Sequence, residues 1–99
     1  MPAWIYFIHP PRDDFAETMT DAEAAVWRDH FARLKQMHAD GILILAGPTL
    51  GRHNDGIAIF DAPDEETARQ IMNDDPTIKS GIASGELRPF RVSLLRGRA

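Results

Sequence analysis

Three short apolar runs in this chain have no polar side. In residues 3–8, Trp4, Tyr6 and Ile8 alternate with Ile5 and Phe7. In residues 42–46, Ile42 and Ile44 alternate with Leu43 and Leu45, and in residues 56–60, Ile57 and Ile59 alternate with Ala58 and Phe60. The density of β-branched and aromatic residues, punctuated by His9-Pro10-Pro11, Gly41, Gly47-Pro48 and Asp61-Ala62-Pro63, predicts strands. An antiparallel sheet with one face in water alternates apolar and polar residues. These strands do not, so both faces of their sheet require a cover. The chain has 99 residues, read as a single domain over 1–99, which leaves no room for a third layer. The second cover is therefore expected from another copy, a homodimer with two sheets face to face.

The other face is expected to be covered by two helices. Thr20-Asp21-Ala22-Glu23 has the spacing of a capping box, in which the Thr hydroxyl and the Glu carboxylate each accept from the other residue's backbone N–H. No Gly or Pro follows until Gly41, which suits the position just past a helix end. A second helix is expected to start in the acidic stretch 61–66, favourable against the helix dipole, and to run to about residue 73, before Asp75-Pro76. Residues 12–19 and 49–55 read as loops, and 77–86 as a turn or short helical piece. A last strand is expected over 88–95, with Phe90, Val92 and Leu94 alternating against Arg91 and Ser93. The order β-α-β-β-α-β, with short connections and right-handed crossovers, predicts an α+β ferredoxin-like subunit.

Composition removes several function classes. There are 11 basic and 15 acidic residues, for a net charge of −4. That argues against nucleic acid as the main partner, although Arg88, Arg91, Arg96 and Arg98 form a basic C-terminal segment; it is expected to be a solvated strand face or a source of interface salt bridges. The absence of cysteine excludes disulfides, thiolate metal sites and a Cys nucleophile. No apolar run approaches the ~20 residues of a membrane span. The N-terminus lacks a basic segment before its apolar run, so the expected location is the cytoplasm. Gly47 to Gly51 lacks phosphate-loop or dinucleotide spacing, and no cofactor is implied. Ser80, Ser84 and Ser93 lack a nucleophile-elbow context.

His30-Phe31-Ala32-Arg33-Leu34, then Met37-His38-Ala39-Asp40-Gly41, then Leu45-Ala46-Gly47-Pro48, then Asp75-Pro76 followed by Gly81 and Arg88-Pro89-Phe90, resemble in order and spacing the YciI-related (YCII) family. The resemblance covers nearly the whole chain. It implies a dimeric α/β barrel of ferredoxin-like subunits, related in shape to muconolactone isomerase and cofactor-free monooxygenases. It also implies a site built from a His on the first helix and the Asp of the Asp-Pro turn, here His30 and Asp75. One member type is linked to dehydrochlorination of a chlorinated hydroxyquinol. Residues 9–19 form a longer loop than in the shorter members, which reshapes what the pocket can take.

The residues themselves leave two readings of His30. On a helical wheel Glu23, Val26, Leu34 and Met37 fall within about 40° of it. A histidine on that partly apolar face is either a general acid/base or a core residue satisfied by a backbone carbonyl. Asp75 is either the carboxylate that fixes the imidazole tautomer or a local cap before proline, with Asp74 as its neighbour and competitor. His9 ends the first strand, either at a pocket rim or as an exposed strand-end residue. Arg52, in the loop after Gly47-Pro48, is either a contact for an anionic group or a solvated loop arginine. With Pro48, these are the candidate substrate contacts. No metal site is expected: His30 and His38 are ~12 Å apart along the helix, while ligands of one zinc lie roughly 3–4 Å apart, and His53-Asn54-Asp55 reads as a solvated turn. Two functions remain: a small-molecule enzyme in which His30 and Asp75 move a proton on a small cyclic or aromatic compound, and a non-catalytic dimeric ligand-binding or accessory module.

Overall fold

A computed structural model describes residues 1–97; Arg98 of the basic C-terminal segment lies outside the described residues. The chain runs β1 (Ala3–His9), α1 (Phe15–Thr18), α2 (Asp21–Ala39), β2 (Leu43–Pro48), β3 (Gly56–Asp61), α3 (Glu65–Asn73), α4 (Pro76–Lys79) and β4 (Ser84–Phe90). The strands form one sheet in the order β2-β3-β1-β4, and every neighbouring pair is antiparallel. This is the ferredoxin-like arrangement expected from the element order.

Helix α2 starts and stops where its sequence directs. Thr20 Oγ1 accepts from Glu23 N at 3.1 Å and Glu23 Oε1 accepts from Thr20 N at 2.9 Å, so both halves of the capping box are present. Arg12 holds the same carboxylate at 2.8 Å. At the other end Gly41 takes φ +78°, and the N–H groups of Gly41 and Ile42 return to His38 O and Met37 O. That pair of bonds, a Schellman motif, requires the left-handed conformation that glycine adopts without strain.

Strand alternation decides what each face meets. Trp4, Tyr6 and Ile8 join Ala58, Phe60 and Leu43 in a core with Leu34 and Met37 of α2 and Ala68 and Met72 of α3. Ile5, Phe7, Ile57 and Ile59 turn to the opposite face, paired as Ile5 with Ile59 and Phe7 with Ile57. A bulge between Leu43 and Leu45 leaves Leu45 opposite Ile59 on that open face, where it is exposed. Among the described residues no helix is long and apolar enough to cross a membrane.

Two expectations are corrected. The loop 12–19 contains a helical turn, α1, whose Phe15 is buried. The last strand is Ser84–Phe90 rather than 88–95. Phe90 pairs with Ala3, the first residue of β1, so the ladder ends there and the alternating Val92 and Leu94 lie beyond its last pair. Pro89 is tolerated because β4 is an edge. Gly85 lies closest to the helices: a Cβ there would stand 2.7 Å from Ile78 Cδ1 and 3.0 Å from Met72 Sδ. Gly85→Ala is therefore expected to lower stability by about 1–2 kcal/mol, read by urea denaturation. Gly47→Ala, where nothing lies within 4 Å of the added carbon, should change it by no more than ~0.5 kcal/mol. Equal effects at the two positions would refute this account of packing.

Candidate active site

The polar centre of the molecule is the Asp75 carboxylate, which is fully buried. It is placed by a local rule. Asp75 is the N-cap of α4 with Pro76 at the first helical position, and its side chain accepts from Thr77 N at 2.9 Å and Thr77 Oγ1 at 2.7 Å. The same cap turns the carboxylate toward the sheet and α2. Tyr6 on β1 donates its phenol to Oδ2 at 2.6 Å. His30 on α2 brings Nδ1 to 2.8 Å from Oδ2 and 3.0 Å from Oδ1. Arg33, one turn further along α2, donates Nη2 to Ile71 O at 2.8 Å. Its Nη1 is buried without a hydrogen-bond partner, 3.9 Å from Asp75 Oδ2.

Burial works against ionising Asp75 and is the strongest single influence on it. The His30 hydrogen bond and charge, with the Tyr6 and Thr77 hydroxyls, outweigh it and hold the carboxyl below its ordinary value. The Tyr6 phenol is pushed far up, first by burial and then by the adjacent Asp75 charge, so it stays a donor. An ionised carboxylate can only accept, so the hydrogen between His30 and Asp75 belongs to Nδ1. In the neutral ring Nε2 carries the lone pair, and among the described residues it has no hydrogen-bond partner.

His30 also lines a cavity of about 410 Å³ between the sheet, α2 and α1. Phe15, Trp27, Phe31 and Leu34 make much of its wall, and Asn54 is the amide side chain among its lining residues. Among the described residues no Lys, Arg, Asp or Glu side chain lines it. The wall is built by aromatic packing: Phe15 and Trp27 have ring centroids 4.7 Å apart, and Trp27 and His30 6.4 Å. His30 thus connects a buried carboxylate on one nitrogen to an apolar cavity around the rest of the ring.

The structure brings together His30, Asp75 and, across the cavity, Pro48. It leaves His9 and Arg52 off the cavity wall. His9 is held by Asp55 at 3.1 Å and Glu86 at 3.2 Å, contacts that raise its pKa, the Asp55 hydrogen bond most. Arg52 is exposed and lies 3.6 Å from both Asp13 and Asp14. Asp74 is exposed at the C-cap of α3, so Asp75 is the carboxylate that reaches His30. Among the described residues no cluster of three or more His, Asp or Glu side chains has metal-holding geometry. Sequence reading missed Tyr6, Thr77 and Arg33. A signal for Tyr6 was present, since a phenol on the core-facing side of a strand needs a buried acceptor.

Because its carboxyl is held low, Asp75 contributes stability that is fully present above about pH 4. That contribution is lost as the pH falls through the lower folded value. Tyr6→Phe removes one hydrogen bond to this charge and should cost about 1.5–3 kcal/mol at pH 7. The deficit should shrink as the carboxylate protonates. Denaturation curves of both proteins at pH 7 and pH 3 measure it, and a deficit independent of pH would show that the phenol does not serve the ionised form.

Residues 4–91 match the YCII-related domain. A search of curated proteins found no match. Among solved structures, the chain is similar to the 5-chloro-2-hydroxyhydroquinone dehydrochlorinase of Burkholderia phenoliruptrix, solved in complex with 2,5-dihydroxybenzoquinone. The TM-score is 0.66 at 16% sequence identity, with 89% of this chain and 93% of that chain covered. At that identity the likeness is one of fold, and the ferredoxin-like subunit is shared along almost the full length of both. The family match spans both His30 and Asp75, and on it the chain belongs to the YCII-related domain family.

Proposed function

We propose that this protein is a small-molecule enzyme in which His30 takes and returns a proton and Asp75 holds it in the working tautomer. The observation that carries the reading is the two-sided placement of His30: Nδ1 lies 2.8 Å from a fully buried carboxylate, and the ring also lines an apolar cavity. With Nδ1–H committed to Asp75, Nε2 is a lone-pair base. When it takes a proton, the adjacent carboxylate stabilises the imidazolium. The chemistry this supports is isomerisation, elimination such as dehydrohalogenation, or a lyase step.

The cavity walls indicate the substrate. A volume of about 410 Å³ with no Lys, Arg, Asp or Glu side chain on its wall among the described residues suits a small neutral cyclic or aromatic compound. The fold neighbour's dehydrochlorinase activity, and the quinone it was solved with, agree in size and character with such a compound. No Ser or Cys nucleophile takes part in this reading.

The assembly belongs to the same proposal. Ile5, Phe7, Ile57 and Ile59 share one sheet face, and Leu45 and Phe90, which pair with Ile59 and Ala3, are exposed. A second copy packed sheet to sheet would cover them as a dimeric α/β barrel.

His30→Ala is expected to keep the fold and lower turnover about 100- to 10,000-fold on substrates found by screening small phenols and lactones. Circular dichroism and steady-state kinetics on the same preparation measure both. Undiminished turnover in a folded variant would make His30 a structural residue and favour the ligand-binding module. Light scattering at micromolar concentration should give the mass of two chains; the mass of one would remove the dimer.

A further inference from the structure

Proton transfer through His30 makes no use of Asn54, the amide side chain on the cavity wall. Asn54 sits near the end of the loop between β2 and β3 and lines the same cavity as His30. Both hydrogens of its amide nitrogen are spent inside the loop: Nδ2 donates to Thr49 O at 3.0 Å and to Gly51 O at 2.9 Å. Two carbonyls can be met only by the NH2 end, so the amide orientation is fixed by its partners. The oxygen Oδ1 remains, and among the described residues nothing donates to it.

The loop holds this oxygen in place. Thr49 Oγ1 accepts from Asp55 N at 2.9 Å and donates to His53 O at 3.1 Å, and Thr49 N donates to Asp55 O at 2.7 Å. The Asp55 carboxylate is in turn gripped by His9 Nδ1 at 3.1 Å and His53 Nε2 at 3.0 Å. Asn54 is therefore set before a ligand arrives, and little conformational freedom is lost on binding.

We infer that Asn54 is a specificity-determining residue, its Oδ1 accepting a hydrogen bond from a second hydroxyl of the substrate while His30 Nε2 faces the first, a step that rests on His30 being the base. Each of these two atoms offers a lone pair. A ligand that satisfies both carries two O–H donors on one small, otherwise apolar ring, and a ring with one donor leaves one acceptor desolvated and unpaired. Sites built to bond a hydroxyl reject analogues that lack it for this reason. The Trp27 indole, packed between Phe15 and His30, supplies an aromatic surface for the ring.

Binding of catechol, resorcinol and hydroquinone, with their monomethyl and dimethyl ethers, tests this in the full-length protein by calorimetry. The best diol is expected to bind wild type about three- to ten-fold more tightly than its monomethyl ether. Asn54→Leu should bring the ratio of diol to ether affinity to about one, whatever the loss of its two loop hydrogen bonds does to both ligands. Thr49→Val loosens the loop but keeps Asn54 Oδ1, and should leave the diol the tighter ligand. If Asn54→Leu binds the diol as wild type does, or loses diol and ether equally, the assignment of Asn54 is overturned. If that happens while His30→Ala still abolishes turnover, only the Asn54 assignment falls. If neither diols nor ethers bind wild type, the two-donor ligand class falls too, and the kinetics of His30→Ala decide separately whether His30 is the base.

Discussion

A buried carboxylate must be paired or neutral, and Asp75 meets that demand by joining three parts of the fold. Thr77 is two residues along the chain, His30 is on α2, and Tyr6 is on β1. A charge in this position is not an economical way to stabilise a domain, because desolvation offsets much of what the partners return. What it supplies is a requirement that β1, α2 and the start of α4 meet at one point. Removing any partner leaves the others facing an underpaired charge in a low-dielectric interior. The site and the core are thus one structure: Tyr6 packs edge-on against Phe60 at 5.6 Å and donates to Asp75 from the same ring.

Much of this was legible in the sequence, and the failures have physical causes. The capping box and Gly41 locate α2 within a residue, since each specifies a hydrogen bond that the chain can make locally. Alternation assigned Trp4, Tyr6 and Ile8 to one side of the sheet. The same period of two puts His9 with Phe7, on the other side from Ile8, and its ring stacks parallel to that of Phe7 at 6.1 Å. The end of β4 was misread because alternation in 88–95 describes a chain able to be a strand, whereas the extent of β1 decides where the ladder ends. Phe15 was unreadable for a similar reason: a four-residue helix has little periodicity, and its burial depends on Trp27 arriving from α2.

The pairing of His30 with Asp75 illustrates what family resemblance adds to residue chemistry. Periodicity places His30 on a partly apolar face, but it says nothing about a carboxylate 45 positions further along the chain. The Asp-Pro turn reads equally well as a helix cap. In the structure it is one: Asp75 caps α4 and binds His30 with the same carboxylate. Structural and functional readings of a residue are often set against each other, yet here the cap fixes the carboxylate that orients the imidazole. A local turn supplies rigidity to a contact made across the fold, which is what an orienting group requires.

Charge placement then limits what the cavity can do. Arg52, the cation nearest in sequence to the cavity-lining turn, lies against Asp13 and Asp14, and Arg33 reaches behind His30 toward Ile71 and Asp75. Neither faces the cavity, so an anionic substrate would enter an apolar space without a counter-charge and lose its hydration. A neutral substrate does not meet that barrier. If it yields a proton to Nε2, the anion forms beside an imidazolium that is already hydrogen-bonded to Asp75. The charge of site and ligand together is unchanged, and the new opposite charges are adjacent in a poorly hydrated space where their attraction is strong. On the proposed function, the wall of aromatic and aliphatic side chains would therefore discriminate against ligands that arrive charged and favour those whose charge develops only during proton transfer.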